Sequence, residues 1–181
     1  MPSTTTSTTT TSSSSSSSSS NRTAARRLIK ELTTWTKHES RDERGIERLG
    51  PVRDDELLRW EAVINGRGLG GGYEHGRWLL RITIPAAYPL QPPQIVFVTP
   101  IVHANVALKD GEICLDLLKD AWTPAYSILE CVRAVRMLLS CPEVDSPLNV
   151  DVASLIRDGD FVGARGLVEL WVGEKRFGGS S

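Results

Sequence analysis

The sequence predicts an α+β fold, with a helix first, a series of strands next and further helices to the end of the chain. Residues 57–64 and 77–84 each alternate apolar with other side chains, which is typical of half-buried strands, and only one loop separates them. Residues 22–36 and the segment after residue 123 instead place apolar side chains at helical spacing. Consecutive strands with short links favour a four-stranded antiparallel meander.

The N-terminal 20 residues are almost wholly Ser and Thr after Met1 and Pro2. Such a segment cannot bury enough surface to offset its loss of conformational entropy, so residues 1–20 are predicted to be a disordered tail. The tail lacks the basic start and apolar core of a secretory signal, and it lacks the spaced arginines of a mitochondrial presequence. Residues 21–181 are predicted to form a single domain.

Composition excludes several classes of function. The net charge is −1, so no general attraction to nucleic acid is expected. No apolar run approaches the roughly 20 residues that span a bilayer, so direct membrane insertion is not expected and membrane association would require a partner. The three cysteines match no zinc-binding spacing. We expect no metal, no bound cofactor and reduced thiols in a cytosolic compartment.

The first predicted helix, 22–36, has an apolar face formed by Ala25, Leu28, Leu32 and Trp35. The start of this helix is basic, with Arg22, Arg26, Arg27 and Lys30. Acidic residues would suit the helix dipole better at this end. The cations therefore form either a docking face for a partner or an ordinary solvated face.

The strand region contains two further candidates, a short strand at 94–98 and a weaker one at 46–52. The loop 65–76 carries six glycines. A phosphate-binding loop is not indicated, because no Gly-Lys-Ser/Thr follows and the next element is a strand. A flexible hairpin loop is the better interpretation.

Three helices are predicted after residue 123. Thr123-Pro124 and the Ser127 to Glu130 capping box mark the start of the first, whose buried stripe is Ile128, Val132, Val135 and Leu139. Asn149 is the expected N-cap of a short helix that ends at Arg157. Asp160 is the expected N-cap of the last helix, with Phe161, Ala164, Val168 and Trp171 on one face.

The segment 85–126 is poor in regular pattern but rich in unusual residues. It contains Tyr-Pro-Leu-Gln-Pro-Pro at 88–93, His103-Ala104-Asn105 and Gly-Glu-Ile-Cys-Leu-Asp at 111–116. A His and an Asn two residues apart suit either the support of irregular backbone or catalysis. Among the cysteines, Cys131 and Cys141 are interpreted as inert core residues.

These motifs, in this order, resemble the ubiquitin-conjugating enzyme family. The matching segments are YPLQPP, HAN, GEICLDLL, AWTPAYSI and DSPLNVD, and GPV at 50–52 and RRLIKEL at 26–32 extend the match. Within the family the chain most resembles the peroxisomal, peroxin-type members. The indications are Ala104, where most members have proline, and one additional residue between Asn105 and Cys114.

The resemblance implies a ubiquitin-conjugating fold and a transferase in which Cys114 accepts activated ubiquitin as a thioester. It implies that Asn105 either stabilises the developing oxyanion or pins the loop that shapes the site. His103 is expected to bond backbone in that loop. The position of the family's gate residue, which orients and desolvates the attacking amine, is occupied by Ser146, with Asp145 before it.

The resemblance also implies partners. The basic residues Arg22, Arg26, Arg27 and Lys30 would dock the ubiquitin-activating enzyme. Leu90, Pro124 and Ala125 would bind a RING-type ligase. Arg48 stands where members that bind ubiquitin on the back of the sheet have a small residue, so weak binding is expected there. The peroxin type implies a membrane-anchored peroxin as recruiting partner and a peripheral place on the cytosolic face of the peroxisomal membrane.

Three alternatives remain at this point. The chain could be an inactive ubiquitin-binding variant, although such proteins usually lack the cysteine. It could be an unrelated thiol hydrolase, which would require a histidine beside Cys114, and only His103 is a credible neighbour. It could also conjugate a ubiquitin-like protein or act on cytosolic substrates.

Overall fold

The computed structural model describes residues 15–38 and 44–178, with residues 15–21 and 38 described by their backbone alone. The helices are α1 (Ser15–His38), α2 (Ile128–Leu138), α3 (Val150–Arg157) and α4 (Phe161–Lys175). The strands are β1 (Ile46–Pro51), β2 (Arg59–Asn65), β3 (Arg77–Thr83) and β4 (Gln94–Phe97). The predicted order of an α+β fold is therefore confirmed.

The four strands form one sheet in the order β1-β2-β3-β4, and each neighbouring pair is antiparallel. This is the predicted meander. The glycine-rich segment joins β2 to β3 as a hairpin loop, as expected. Trp60, Ile64 and Leu80 lie fully buried on one face of the sheet, in the same apolar cluster as Leu28 of α1 and Val132 of α2.

Helix α1 begins seven residues earlier than predicted, so its backbone includes part of the Ser/Thr-rich segment. Once a helix is nucleated, each further residue costs little, and serine is a tolerable helix former. Residues 1–14, the rest of the predicted tail, lie outside the described residues. On the buried side of α1, Ala24 is fully buried where Ala25 was expected, and Leu32 is only half-buried.

The predicted caps of the later helices are confirmed. The Ser127 hydroxyl and the Glu130 carboxylate form a capping box at α2, Asn149 accepts from Val152 N–H, and Asp160 accepts from Gly163 N–H. The buried stripe of α2 is also as predicted.

The predicted face of α4 is wrong at its first residue. Phe161 is 66% exposed, and the buried side chains are Ala164, Val168 and Val172. These three follow one another at intervals of four, which keeps them on one side of the helix. Phe161 is the first residue of α4, so no preceding turn of the helix covers it.

Candidate active site

A short hairpin carries Cys114. Val106 pairs with Ile113, and Ala107 N–H donates to the Glu112 carbonyl at 2.9 Å. The hairpin lies against β4, where Phe97 N–H donates to the Gly111 carbonyl at 2.9 Å. Gly111 has φ of 72°, and a Cβ there would lie 2.0 Å from the Phe97 carbonyl oxygen. Only glycine allows this close approach, so the position of the hairpin depends on Gly111.

Cys114 is partly exposed and is not in a disulfide. Its backbone N–H donates to the Asn105 carbonyl at 2.9 Å, while the preceding side chain, Ile113, is buried. The chain then continues into a 3₁₀ turn at Asp116–Leu118. The cysteine is therefore held beside Asn105 at a fixed point of the hairpin and remains accessible from solvent.

The Asn105 side chain pins a distant segment. Its amide nitrogen donates to the Glu143 carbonyl at 2.7 Å, and its amide oxygen accepts from Glu143 N–H at 2.7 Å. A few residues later, the Ala104 carbonyl accepts from Leu148 N–H at 2.8 Å and from Asn149 N–H at 3.0 Å. The segment 143–149 is thus tied at both ends to Ala104 and Asn105, which precede the hairpin.

This segment contains Asp145 and Ser146, both of which are exposed. Asp145 N–H donates to the Glu143 carboxylate at 3.2 Å, which stabilises the turn. Asn105 and Ala104 together hold the segment of the two predicted gate residues, and the Asn105 carbonyl also accepts from Cys114 N–H.

His103 supports the same segment, Ala104 and Asn105, from inside the fold. It is buried, its Nδ1 accepts from Asn105 N–H at 3.0 Å, and its Nε2 lies 3.0 Å from the Leu138 carbonyl. The contact with an N–H donor requires an unprotonated Nδ1, so Nε2 carries the hydrogen that is donated to Leu138. Burial lowers the pKa of His103 to about 4. The ring is neutral at physiological pH and bonds backbone, as the sequence predicted.

The other two cysteines differ from each other. Cys131 is fully buried in α2, and burial raises the pKa of its thiol to about 12, which suits the predicted inert core residue. The same prediction is wrong for Cys141, which is exposed. Helix α2 ends at Leu138, and Cys141 lies in the turn beyond its last buried residues.

The basic residues of α1 are not equivalent. Arg22, Arg26 and Lys30 are exposed. Arg27 is half-buried, and its guanidinium donates to the Glu31 carboxylate at 2.5 Å and to the Tyr126 carbonyl at 2.9 Å. Arg27 thus has a structural role in addition to any docking role.

The predicted ligase-binding residues lie on two adjacent loops. Leu90 is 78% exposed within the proline-rich turn, and Pro124 and Ala125 are exposed before α2. The Trp122 indole N–H donates to the Pro89 carbonyl at 2.9 Å and joins the two loops. The sequence indicated neither this link nor the exposure of the three residues.

Sequence reasoning missed Glu31. Its carboxylate accepts from the Tyr88 hydroxyl at 2.7 Å and from Ile128 N–H at 2.8 Å, besides Arg27. The only available signal was its place in the RRLIKEL motif. On the open face of the sheet, Arg48 pairs with Glu61 at 2.7 Å.

Within residues 15–38 and 44–178, no group of three or more His, Cys, Asp or Glu side chains is arranged to hold a metal ion.

Comparisons with known proteins agree with this geometry. The family model described as ubiquitin-conjugating enzyme matches residues 27–161. The ubiquitin-conjugating enzyme E2 PEX4 of Gibberella zeae is 71% identical over 147 residues, which are 81% of this chain and 85% of that protein. The ubiquitin-conjugating enzyme E2 pex4 of Dictyostelium discoideum is 44% identical over 147 residues, with 81% and 95% covered.

A solved structure is similar as well. It is the crystal structure of the H. polymorpha ubiquitin-conjugating enzyme Pex4p in complex with the soluble domain of Pex22p. The two chains share 33% identity with a TM-score of 0.80, and the match covers 85% of this chain and 99% of the other.

Proposed function

Because the chain belongs to the ubiquitin-conjugating enzyme family, we propose that Cys114 is the residue that receives ubiquitin as a thioester. The observation that carries this proposal is a partly exposed thiol on a hairpin fixed beside Asn105. Cys131 is fully buried with a raised pKa, which makes it a poor nucleophile. Cys141 is exposed but lies in the turn after α2, outside the motif that resembles the family's active site.

The family membership and the fold predicted from the sequence are confirmed, and so is the resemblance to the peroxin-type members. The chain is a transferase that acts with ubiquitin and an activating enzyme. ATP is consumed by the activating enzyme.

In the first step, the Cys114 thiolate attacks the thioester carbonyl of ubiquitin on the activating enzyme. The new carbon–sulfur bond forms as the bond to the activating enzyme's cysteine breaks, and that cysteine leaves as a thiolate. Because donor and product are both thioesters, the step needs no strong general base, and a thiol is both a good nucleophile and a good leaving group.

In the second step, an amine or thiol of the substrate attacks the Cys114 thioester, and negative charge develops on the carbonyl oxygen. Asn105 contributes mainly by pinning the segment 143–149, and its second amide hydrogen is its one remaining donor for the oxyanion. Asp145 and Ser146, on the pinned segment, orient the attacking group. His103 stays neutral and holds the backbone of Asn105.

A non-reducing gel tests the proposal. The chain is mixed with activating enzyme, ATP and ubiquitin, and a thiol-sensitive adduct is expected that Cys114→Ala abolishes. Cys141→Ala is the matched control, because it removes the other exposed thiol and leaves the adduct intact; Cys131→Ala also leaves it intact. Cys114→Ser is expected to give an ester that survives thiol.

Other outcomes of the same gel identify the alternatives. Absence of any adduct would indicate an inactive binding variant, and a thiol hydrolase would likewise give no ATP-dependent adduct. A reaction that proceeds with a ubiquitin-like protein and fails with ubiquitin would show that the chain conjugates the ubiquitin-like protein.

We further propose that a RING-type ligase binds Leu90, Pro124 and Ala125, which are exposed on two joined loops. The activating enzyme docks on Arg22, Arg26 and Lys30, with Arg27 at the edge of the surface. Replacing Leu90 with Arg is expected to abolish ligase-stimulated transfer and leave thioester formation unchanged. Loss of thioester formation in this variant would contradict the assignment.

A membrane-anchored peroxin like Pex22p recruits the chain to the cytosolic face of the peroxisomal membrane. The Pex4p structure was solved with the soluble domain of such a protein. Across residues 15–38 and 44–178, no helix has the length and apolarity to cross a membrane. Helix α4 exposes Val162 and Leu170, which suit an apolar contact.

Imaging of a tagged copy tests recruitment. A peroxisomal signal is expected for the parent chain and a diffuse one for Val162→Asp with Leu170→Asp. Val52→Asp, which also adds a charge at an exposed apolar position, serves as the control and keeps the peroxisomal signal. A diffuse signal of the parent chain in cells with normal peroxisomes would exclude the proposed location.

Binding of ubiquitin to the back of the sheet is expected to be weak. Arg48 occupies the position and is paired with Glu61, so a partner would have to displace a large charged side chain. A titration with ubiquitin should show that Arg48→Ser binds ubiquitin more tightly than the parent chain does. Tight binding by the parent chain that Arg48→Ser does not improve would contradict this expectation.

A further inference from the structure

The Glu31 carboxylate is a junction of three elements that are far apart in sequence. Its Oε1 accepts from Arg27 Nε at 2.5 Å and from the Tyr88 hydroxyl at 2.7 Å, and its Oε2 accepts from Ile128 N–H at 2.8 Å. The side chain is only 11% exposed. A carboxylate with three donors in a nearly buried place is strongly held, since hydrogen bonds to a charged group are among the stronger ones.

Each of these contacts reaches a loop of the proposed ligase-binding surface. Tyr88 begins the proline-rich turn and lies two residues before Leu90. Ile128 is the first residue of α2, and the loop with Pro124 and Ala125 leads directly into it. Arg27, which Glu31 orients, donates to the Tyr126 carbonyl in that same loop.

The two loops are also in contact with each other. The Trp122 indole N–H donates to the Pro89 carbonyl, and the Trp122 ring lies 6.0 Å from Tyr88 and 6.1 Å from Tyr126, measured between ring centroids. This contact sets the distance between the loops. Glu31 provides a second connection, because it bonds both loops to α1.

We propose that Glu31 is a positioning residue that holds the two halves of the ligase-binding surface in the arrangement a RING domain recognises. The inference rests on the proposed function, in which Leu90, Pro124 and Ala125 bind the ligase. Glu31 itself need not touch the ligase or the thioester. Its effect is to lower the entropy that the loops would otherwise lose on binding.

The chemistry requires an anion at this position. A glutamine has the same shape, but it offers a single acceptor oxygen and an NH₂ group. The amide hydrogens would point at either Ile128 N–H or the Arg27 guanidinium, both of which are donors. Glu31→Gln therefore breaks at least one link and leaves the packing of α1 almost unchanged.

The chain provides a matched control in Glu130. Its carboxylate also accepts from an N–H at the start of α2, that of Ser127, at 2.7 Å. That contact is local to the capping box and touches neither the proline-rich turn nor α1. Glu130→Gln thus weakens the same helix start without releasing the loops from α1.

The experiment measures discharge of ubiquitin from the chain against the concentration of an isolated RING domain, chosen as one that accelerates discharge from the parent chain. Glu31→Gln is expected to raise the half-saturating RING concentration roughly five- to tenfold, in line with the loss of about one hydrogen bond. The maximal rate and the thioester formation are expected to stay near those of the parent chain. Tyr88→Phe, which removes one of the links, is expected to give a smaller shift.

A second measurement needs no ligase. Hydrogen exchange is expected to accelerate at Leu90 N–H and at the Trp122 indole N–H in Glu31→Gln. In Glu130→Gln the increase is confined to the first turn of α2. A purely structural role would instead lower thermal stability in both variants and leave the half-saturating RING concentration unchanged in both, which would overturn the proposal.

The Leu90→Arg variant separates this inference from the function on which it rests. If Leu90→Arg leaves the response to the RING domain unchanged, the assignment of the ligase-binding surface is wrong. If Leu90→Arg removes the response and Glu31→Gln does not shift the half-saturating concentration, only the role of Glu31 is refuted.

Discussion

Asn105 shows how one amide can hold a site together. Its oxygen and one of its two amide hydrogens are bonded to the backbone of Glu143, so the side chain cannot turn without releasing the segment of Asp145 and Ser146. Asn105 is buried, and its side-chain contacts are the ones that pin this segment. Of the two roles that the sequence left open, the pinning role therefore has direct contacts behind it, and contact with the oxyanion stays a prediction.

Replacing Asn105 with Asp is expected to slow transfer from the thioester by at least about tenfold and to leave thioester formation intact. A carboxylate oxygen would replace the amide nitrogen that lies 2.7 Å from the Glu143 carbonyl oxygen. Two acceptors would then face each other, and leaving such groups unpaired costs about 1–3 kcal/mol. Single-turnover discharge to free lysine and to free cysteine measures the effect.

Asn149→Asp is the control for that charge change. Asn149 is the N-cap of α3, where aspartate caps as well as asparagine. Discharge is expected to be unchanged. Equal loss in both variants would show that added negative charge, and not the broken pin, is responsible.

Because His103 is buried, the folded chain is expected to lose stability in mild acid. Burial lowers its pKa from 6.5 to about 4, so between these values the unfolded chain binds a proton that the folded chain does not. Stability therefore rises with pH through this window and falls as the pH is lowered from 6.5 towards 4. The total contribution is on the order of 3 kcal/mol.

Urea unfolding as a function of pH measures this slope. His103→Gln is expected to be less stable at neutral pH but to show a shallower slope between pH 6.5 and 4. His75→Gln, which changes an exposed histidine on the hairpin loop, should keep the slope of the parent chain. An unchanged slope in His103→Gln would contradict the argument.

At the scale of the elements, local pattern was sufficient to identify most of the fold. Alternation along 77–84 identified β3 and its buried residues, and the Ser127 to Glu130 box identified the start of α2. The pattern failed where an element ends or begins, as at Phe161 and Cys141. An apolar or small side chain in such a place is buried only if another element covers it, and a local pattern contains no information about that element.

The contacts that build the site were less predictable. Glu31 reaches Ile128, and Asn105 reaches Glu143, across 97 and 38 residues of chain. Motif resemblance identified Cys114 and Asn105 as residues of interest, but the partner of each side chain depends on how the helices pack on the sheet. No spacing rule expresses that dependence.

Two glycines provide opposite tests of backbone freedom. Gly111→Ala is expected to destabilise the chain by more than about 2 kcal/mol, because the residue has positive φ and no space for a Cβ. Gly166→Ala, in α4 with nothing within 4 Å of its Cβ position, should stabilise by about 0.5–1 kcal/mol through helix propensity. Denaturant unfolding measures both changes.

Thioester formation should fail in Gly111→Ala even where the chain is still folded, since the hairpin carries Cys114. Gly166→Ala should form the thioester normally. A Gly111→Ala chain with parental stability would mean that the hairpin can move away from β4 without cost.

At the scale of the whole molecule, charge is distributed unevenly. The net charge is only −1, yet Arg22, Arg26 and Lys30 are exposed close together along α1. A partner with an acidic face would be attracted to this helix by long-range forces. Such attraction raises the rate of association more than it raises the affinity.

Charge reversal on α1 is therefore expected to slow charging by the activating enzyme. Arg26→Glu with Lys30→Glu should raise the half-saturating concentration of the chain at least about tenfold, and the difference from the parent should shrink at salt concentrations where the Debye length falls below about 8 Å. Arg157→Glu, an exposed reversal on α3, is the control and should charge normally. A salt-independent defect would indicate disturbed packing of α1 instead.

The hairpin that carries Cys114 also covers the outer side of β4. Phe97 N–H is bonded to the Gly111 carbonyl, and Val96 pairs with Glu112. An uncovered outer strand is a template on which further chains can polymerise. Any substitution that releases this hairpin from β4 would expose such a template. The protein would then become insoluble at high concentration, and this loss of solubility would be detected before any slowing of ubiquitin transfer.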